Sequence, residues 1–316
     1  MLFWKTCRGE KHMAMIETID TDNYEVMAKA MGITADASAK TAQSNLARLR
    51  ISHAPIMGDT EVKGKKVKME VVPGGYYRLD VPDGNASVAS GMYYAPVATI
   101  RTFLQRFMYK RFIKGSGSVP NRFVKTVMGD SLKIDLKDND GGFNCGKPTG
   151  WIKDFKALPQ SQQTLIKEIK RTRVLFGLLD LKDVVNENGE EVKQKIESFP
   201  FIWEIDNRNA FKLLGDTYNT FGKKKLLPIS HTISFGTEEQ SLPNGSSFYL
   251  PTVNADFNNA LSISQEDHEA FSNFMGWVDN YNNYIISEWN KKSESLSSSD
   301  EKVLDEFHSL DDEAPF

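Results

Sequence analysis

An alternation of extended runs and strong turn signals between residues 63 and 136 most constrains how this chain can fold. Pro-Gly-Gly at 73–75 and Pro-Asp-Gly-Asn at 82–85 separate short runs rich in residues that favour strands. The stretch from Tyr93 to Ile113 is also extended in character and ends at the Gly-Ser-Gly-Ser run 115–118. This spacing predicts several strands joined by tight turns.

Helical periodicity lies near the two ends of the chain and in insertions between the strands. Helices are predicted at 22–31, from 36 or 38 to 50, at 161–170, at 207–222 and at 264–289. We therefore predict a mainly β fold with helical insertions (α+β), built on a small barrel like the oligonucleotide-binding (OB) fold. The predicted parts are an N-terminal arm with helices at 1–50, an OB-like core with helical insertions at 51–290, and a flexible linker with a disordered acidic tail at 291–316.

The charge of the chain is distributed unevenly. The net charge is −3, yet residues 300–316 hold seven acids and only one base. The remaining 299 residues therefore hold 38 bases and 35 acids. A mildly basic body with an acidic end is typical of proteins that bind a polyanion and regulate access to it.

The region 93–125 combines basic and aromatic residues more densely than the rest of the chain. Because side chains alternate in a strand, one face is predicted to carry Arg101, Phe103, Gln105, Phe107, Tyr109 and Arg111. Aromatic rings stack on unpaired bases, and interspersed Arg and Lys neutralise phosphates. This combination favours single-stranded nucleic acid. The alternative is a half-buried strand whose aromatic residues belong to the core.

Further basic clusters lie at 63–68, 167–173 and 223–225. Lysines on a strand edge also block aggregation, so the first cluster has a purely structural alternative. The candidate nucleic-acid-binding residues are Lys65, Lys66, Lys68, Arg101, Phe103, Arg106, Phe107, Tyr109, Lys110, Arg111, Arg122, Lys125, Arg171 and Arg173.

The sequence offers little support for catalysis. Residues 141–149 approach the phosphate-binding loop pattern, but Pro148 replaces the required hydroxyl and removes a backbone N–H. Asp135, Asp138 and Asp140 lack the spacing of a calcium loop and read as turn-forming residues. No paired histidine spacing and no nucleophile motif is present. We predict no enzyme activity, no catalytic residue, no metal and no cofactor.

Cysteine content and hydropathy bear on the compartment. Cys7 and Cys145 are too few and too far apart in sequence for a disulfide framework. No run approaches 18 apolar residues, so no membrane helix is predicted. The expected location is the cytoplasm, or the host cytoplasm if the protein is viral.

The chain ends in Asp311-Asp312-Glu313-Ala314-Pro315-Phe316, after a Ser-rich spacer at 293–299. This ending resembles that of single-stranded-DNA-binding proteins of bacteria and their phages, in which several acids precede Ile-Pro-Phe. Here Ala314 stands in the isoleucine position. The resemblance implies that these six residues bind replication and recombination partners. The body is longer than the compact bacterial barrel and is closer in size to phage helix-destabilising proteins.

The combined features predict a non-catalytic protein that coats and protects single-stranded DNA during replication, recombination and repair. Its acidic tail would recruit partners and compete for the DNA groove, and copies could associate on DNA. One alternative is a structural or scaffold protein, such as one of a virus particle, whose tail docks on an assembly partner. Another is a recombination mediator that anneals complementary strands.

Overall fold

The computed structural model describes residues 46–311 apart from 63–64, 85–86, 118–119, 151 and 243–244. Side chains are not described for 60–62, 66 and 294–311. The helices predicted at 22–31 and from 36 or 38 up to residue 45, the side chain of Lys66 and the tail residues Asp312–Phe316 therefore lie outside the described part.

Eleven strands and three helices make up the described chain, and the predicted mainly β, α+β class is confirmed. The strands are β1 Ala47–Ile51, β2 Ile56–Val62, β3 Lys65–Val72, β4 Tyr77–Val81, β5 Gly91–Ala95, β6 Ala98–Ile113, β7 Arg122–Lys125, β8 Ile169–Leu181, β9 Ile196–Ile205, β10 Ile233–Ser241 and β11 Ser247–Ala255. The helices are α1 Gln160–Glu168, α2 Arg208–Lys224 and α3 Gln265–Asp311. Short 3-10 turns lie at Asn144–Gly146 and Pro228–Ser230.

Nine strands form one mixed sheet in the order β11-β10-β6-β8-β9-β1-β4-β5, and β7 pairs with the far end of β6. β1 runs parallel to β9, whereas the other neighbours in this sheet are antiparallel. β2 and β3 form a separate hairpin. The 16-residue β6 spans the middle of the large sheet.

The sheet is not closed into a barrel, so the predicted OB-like barrel is wrong. Within the described chain, its edge strands β11 and β5 do not pair with each other. Side chains connect the two sides instead: the Tyr77 hydroxyl donates to the Gly236 carbonyl at 3.0 Å, and the Thr237 hydroxyl donates to the Gly75 carbonyl at 2.8 Å. Closure of a barrel needs backbone hydrogen bonds between neighbouring strands all the way round. Here hydrogen bonds from two side chains to backbone carbonyls connect the two sides instead.

The two faces of the sheet bury different cores. On the inner face, Tyr77, Trp203 and Phe235 pack edge to face, and α2 adds Leu214 and Phe221. On the outer face, α3 packs Phe274 against Phe103 and Phe176 of the sheet. We call these the inner face and the outer face below.

A bulge in β6 changes which side chains share a face. The pairing with β8 shifts between Thr102 and Leu104, opposite Gly177. Arg101 and Phe103 consequently contact α3 on the outer face, whereas Phe107 contacts α2 on the inner face. The single face predicted from strict alternation is therefore wrong, because a bulge inserts one residue into the pattern.

β1 corrects another sequence prediction. Residues 47–50 were expected to end a helix, but Ala47–Ile51 is a strand between β9 and β4. Ala47 and Leu49 are buried, whereas Arg48 and Arg50 are exposed. This alternation is the pattern of a half-buried strand. The predicted boundary at residue 50 falls inside β1.

α3 begins where predicted but extends further. The helix predicted at 264–289 runs to Asp311 and includes the Ser-rich segment for which a flexible linker was expected. No Gly or Pro occurs between residues 277 and 314 to interrupt it. Serine is less favourable than alanine in a helix by roughly a few tenths of a kcal/mol per residue. Serines alone therefore do not end a helix. The helices predicted at 161–170 and 207–222 correspond to α1 and α2.

Candidate nucleic-acid interface

An open groove of about 340 Å³ lies on the outer face, and residues of β1, β6, β7 and β9 line it. Its charged lining residues are Arg48, Arg50, Lys110, Lys125 and Glu204. Four basic side chains therefore surround one acidic side chain. We call this the basic groove.

The alternation of the strands brings these bases together. Arg48 and Arg50 occupy the exposed positions of β1, whose buried positions face the inner core. Lys110 and Lys125 are directly opposite each other in the β6–β7 pair. Glu204 projects from β9, where it is two residues beyond Ile202, another lining residue. The groove is thus assembled from segments far apart in sequence.

Glu204 is the charge at the centre of the groove. Its carboxylate accepts a hydrogen bond from Lys110 Nζ at 2.7 Å and lies 3.9 Å from Arg48 Nη1. Burial alone would raise the pKa of Glu204, but Lys110, Lys125 and Arg48 together hold it below its usual value. The carboxylate stays ionised and holds like charges close together.

Lys125 carries the least compensated charge of the groove. Burial lowers the pKa of its ammonium group, and the nearby Lys110 and Arg48 lower it further, against the attraction of Glu204. No carboxylate within the described part of the chain pairs directly with Lys125. An incoming phosphate would supply the missing counter-charge.

Two phenylalanine rings extend the groove along β6 and β7. Phe112 and Phe123 are register partners with ring centroids 5.0 Å apart and an interplanar angle of 53°. Phe112 is 46% exposed and Phe123 is 55% exposed. The ammonium group of Lys125 lies 5.8 Å from the centre of the Phe123 ring. Exposed aromatic rings next to Lys and Arg side chains are the arrangement in which rings stack on nucleobases and cations neutralise phosphates. We call this pair the phenylalanine platform.

Two further sets of ion pairs border the groove, one on β1 and β4 and one around Asp206, which follows β9. Arg50 lies 3.1 Å from the carboxylate of Asp80, which also pairs with Arg78. Lys170 lies 3.4 Å from Asp206, and Lys110 lies 4.0 Å from it. These partly exposed pairs contribute little to stability, so their cations can exchange partners at little cost.

Among the sequence-predicted residues whose side chains the structure describes, Lys110 and Lys125 line the basic groove. Lys65 and Lys68 are exposed on the β2–β3 hairpin, whose strands form a sheet separate from the large one. Arg122 is exposed but forms an ion pair with Asp140. Arg111 pairs with Glu168 at 3.1 Å, and Arg171 is exposed.

Three predicted residues belong to the packed interior instead. Phe103 is 8% exposed and Tyr109 is 3% exposed, so neither ring can stack on a base in this conformation. The Arg173 guanidinium is buried between the rings of Phe107 and Phe211, at 5.0 and 4.7 Å from their centroids. For these residues the alternative of core aromatics on a half-buried strand describes the structure better.

Arg101, Arg106 and Phe107 also hold the fold together. Arg101 forms an ion pair with Asp267 of α3 at 2.9 Å and donates to the Ile229 carbonyl. Arg106 lies 2.8 Å from Asp130, and Phe107 packs on Phe211 of α2. Their charges and rings are already engaged with other parts of the chain.

Sequence reasoning missed four residues of the site. Arg48 and Arg50 were assigned to a helix, although the alternation in Ala-Arg-Leu-Arg-Ile indicates a strand. Phe112 and Phe123 lie in the basic-aromatic region 93–125 but are not among the candidates chosen from the sequence. Position 112 falls at the end of β6, where the core no longer covers the strand, and sequence alone does not mark that point.

The loop at 135–149 has a structural role. The buried carboxylate of Asp138 accepts hydrogen bonds from the backbone N–H groups of Asp140, Gly142 and Cys145. Asn144 and Cys145 adopt left-handed conformations in a short 3-10 turn, with no helix following as a phosphate-binding loop requires. Among the described residues, no group of three His, Cys, Asp or Glu side chains is placed to hold a metal ion.

Neither a protein-family model, nor a curated protein, nor a solved structure matches this chain. Within the described part, no helix is long and apolar enough to cross a membrane. Any functional assignment therefore depends on the residues of the basic groove and the phenylalanine platform.

Proposed function

We propose that this protein binds single-stranded DNA, without catalysing a reaction on it, through the basic groove and the phenylalanine platform. The observation that carries the proposal is the half-exposed Phe112–Phe123 pair directly beside Lys110 and Lys125. A pair of exposed apolar rings next to a cluster of cations is a candidate site for a ligand that offers both an apolar surface and negative charge.

The chemistry of the site favours an unpaired strand over a duplex. In a duplex the base faces are stacked on each other and hidden from protein rings. An unpaired base can stack on Phe112 or Phe123, which contributes about 1–3 kcal/mol per base and depends little on sequence. Arg48, Arg50 and Lys125 would neutralise the phosphates on either side. The result is a coat with little sequence preference.

The acidic C-terminus fits the same proposal. Asp311, Asp312, Glu313, Ala314, Pro315 and Phe316 would recruit replication, recombination or repair proteins in the cytoplasm. When DNA is absent, the acids of 300–316 would compete for the basic groove, since the rest of the chain has an excess of bases. DNA and the tail would then bind alternately.

One observation favours the alternative of a structural or scaffold protein. The β2–β3 hairpin exposes Met57, Val67 and Met69, and its two strands pair only with each other. An exposed apolar ribbon suits contact with another protein. This function would need no affinity for nucleic acid.

Fluorescence anisotropy with labelled oligo-dT at two salt concentrations separates the two proposals. A single-strand-binding protein should bind at low salt, and log Kd should rise with log salt at about 0.7 per phosphate contacted. An absence of binding at low salt would refute the proposed function and leave the scaffold alternative.

A further inference from the structure

A second basic surface lies behind the basic groove, on the opposite face of the same end of the sheet. Arg171 is opposite Tyr109 in the β6–β8 pair, whereas the next pair along, Lys110 and Lys170, faces the groove side. Neighbouring residues of a strand point to opposite faces. Arg171 and the basic residues of the groove therefore lie on opposite faces of the sheet.

Lys147 joins Arg171 on this inner side. The Lys147 ammonium lies 5.7 Å from the centre of the Tyr109 ring and donates to the Pro148 carbonyl at 3.1 Å. Burial lowers the pKa of Lys147 and the positive charge of Arg171 lowers it further, against the attraction of Asp135. Two cations are thus held near each other by the 144–150 loop and β8.

α1 extends the basic surface. Leu165 of α1 lies against Gly146, where an added Cβ would be 3.3 Å from its side chain. At the end of the helix, Lys167 lies 5.8 Å from the Phe155 ring. The Lys156 carbonyl accepts a hydrogen bond from the Gln163 side chain, which fixes that segment on α1. We call Lys147, Lys156, Lys167 and Arg171 the rear basic surface.

The cations of the rear basic surface lack acidic partners. Across the described residues, no carboxylate forms an ion pair with any of the four, whereas Arg48, Arg50 and Lys110 of the groove all have one. Nearby acids are engaged elsewhere: Glu168 pairs with Arg111, and Asp135 accepts from Asn144 and Thr149. Positive charge without a salt-bridge partner fits a polyanion.

We infer that the rear basic surface binds the phosphate backbone of a second nucleic-acid strand, an inference that rests on the proposed function. The described rings on this side, those of Phe107, Tyr109, Phe155 and Phe211, are buried or half-buried. A strand held here is bound through its phosphates, and its bases remain free to pair. One molecule then holds a stacked strand in front and a pairing-competent strand behind, which raises the local concentration of a complementary strand next to coated DNA.

Native mass spectrometry with an oligo-dT of about eight nucleotides tests the inference, because this length fits a single site. The full-length protein should bind two oligonucleotides per chain. The double variant K147E/R171E should bind one, and K147Q/R171Q should weaken the second binding with a salt slope lower by about 1.4, for two lost contacts. K182E/K193E is the matched control, since it makes the same charge change at exposed lysines remote from β8's first residues.

The annealing rate of two complementary oligonucleotides provides the second readout. K147E/R171E should slow protein-promoted annealing about tenfold while the first oligonucleotide still binds, because only backbone contacts to the second strand are lost. One oligonucleotide per wild-type chain, or unchanged stoichiometry in K147E/R171E, would overturn the inference, even if an acidic peptide bound this surface. No binding at all would instead refute the proposed function.

Discussion

At the scale of single residues, variants of the phenylalanine platform separate the contribution of base stacking to DNA affinity from the contribution of charge. Replacing Phe112 and Phe123 with Ala should weaken oligo-dT binding about 5- to 30-fold, because one base loses a stacking partner worth about 1–2 kcal/mol. The slope of log Kd against log salt should not change, since no phosphate contact is lost. Anisotropy titrations measure both quantities.

Phe271→Ala is the matched control for the loss of a ring. Phe271 is also exposed, but it belongs to α3 and does not line the basic groove. Its replacement should leave the affinity unchanged. Equal affinities of F112A/F123A and the wild type would remove the platform from the account.

Lys125 predicts a pH dependence of binding. Its pKa is lowered in the free protein, and a bound phosphate should raise it again. Affinity should therefore be full below the pKa of the free ammonium and fall as the pH rises through it, before ordinary lysines titrate. Lys125→Arg should keep the charge and flatten this part of the profile, because guanidinium does not titrate there. Identical profiles for both proteins would contradict the role of Lys125.

At the scale of elements, the β6 bulge decides which residues reach each face. β8 accommodates it through Gly177, where an added Cβ would lie 2.0 Å from the Arg101 carbonyl oxygen. Gly177→Ala should lower the free energy of unfolding by about 1–3 kcal/mol, as overpacking does. Urea denaturation measures the change.

Gly222 of α2 provides the comparison. A Cβ there would meet nothing within 4 Å, so Gly222→Ala should be neutral or slightly stabilising in a helix. If the Gly177→Ala variant were as stable as the wild type, the bulge would not constrain β8 as described.

A strand, helix or turn can be predicted from the sequence when the pattern that specifies it lies within its own residues. The turns at 73–75 and 82–84 and the periodicity of α1 and α2 are local, and these features are found where expected. β1 is only five residues long, and its alternation competes with an Ala-rich run that precedes it. The bulge at Thr102 depends on the approach of Gly177, 75 positions later, which no local pattern reports.

At the scale of the whole molecule, the charge pattern predicts competition between tail and DNA. Deleting residues 300–316 removes seven acids and one base. Oligo-dT binding should tighten at low salt and converge with the full-length protein at high salt, where charges are screened beyond about 3–10 Å. Anisotropy titrations of the two proteins check this. Unchanged affinity at low salt would refute the competition, and retained partner binding would refute recruitment by the tail.

The location of the site is also a property of the whole molecule. The sequence predicted a basic, aromatic-rich β region, and Lys110 and Lys125 do line the groove. The sequence offered burial of the aromatic residues as an alternative but could not decide it for Phe103 and Tyr109, because the packing of α3 and the 136–145 loop determines it. Nor could it place β1 beside β9, since that contact joins residues about 150 positions apart in the chain, as sheets often do.

Photo-crosslinking of oligo-dT to the full-length protein, followed by peptide mass spectrometry, tests the central claim most directly. Bases stacked on the phenylalanine platform are within bonding distance of its rings, so crosslinks should occur at Phe112 or Phe123 and disappear in F112A/F123A. Crosslinks that form only outside the basic groove and the platform, or no crosslinks under conditions that saturate binding, would contradict the account.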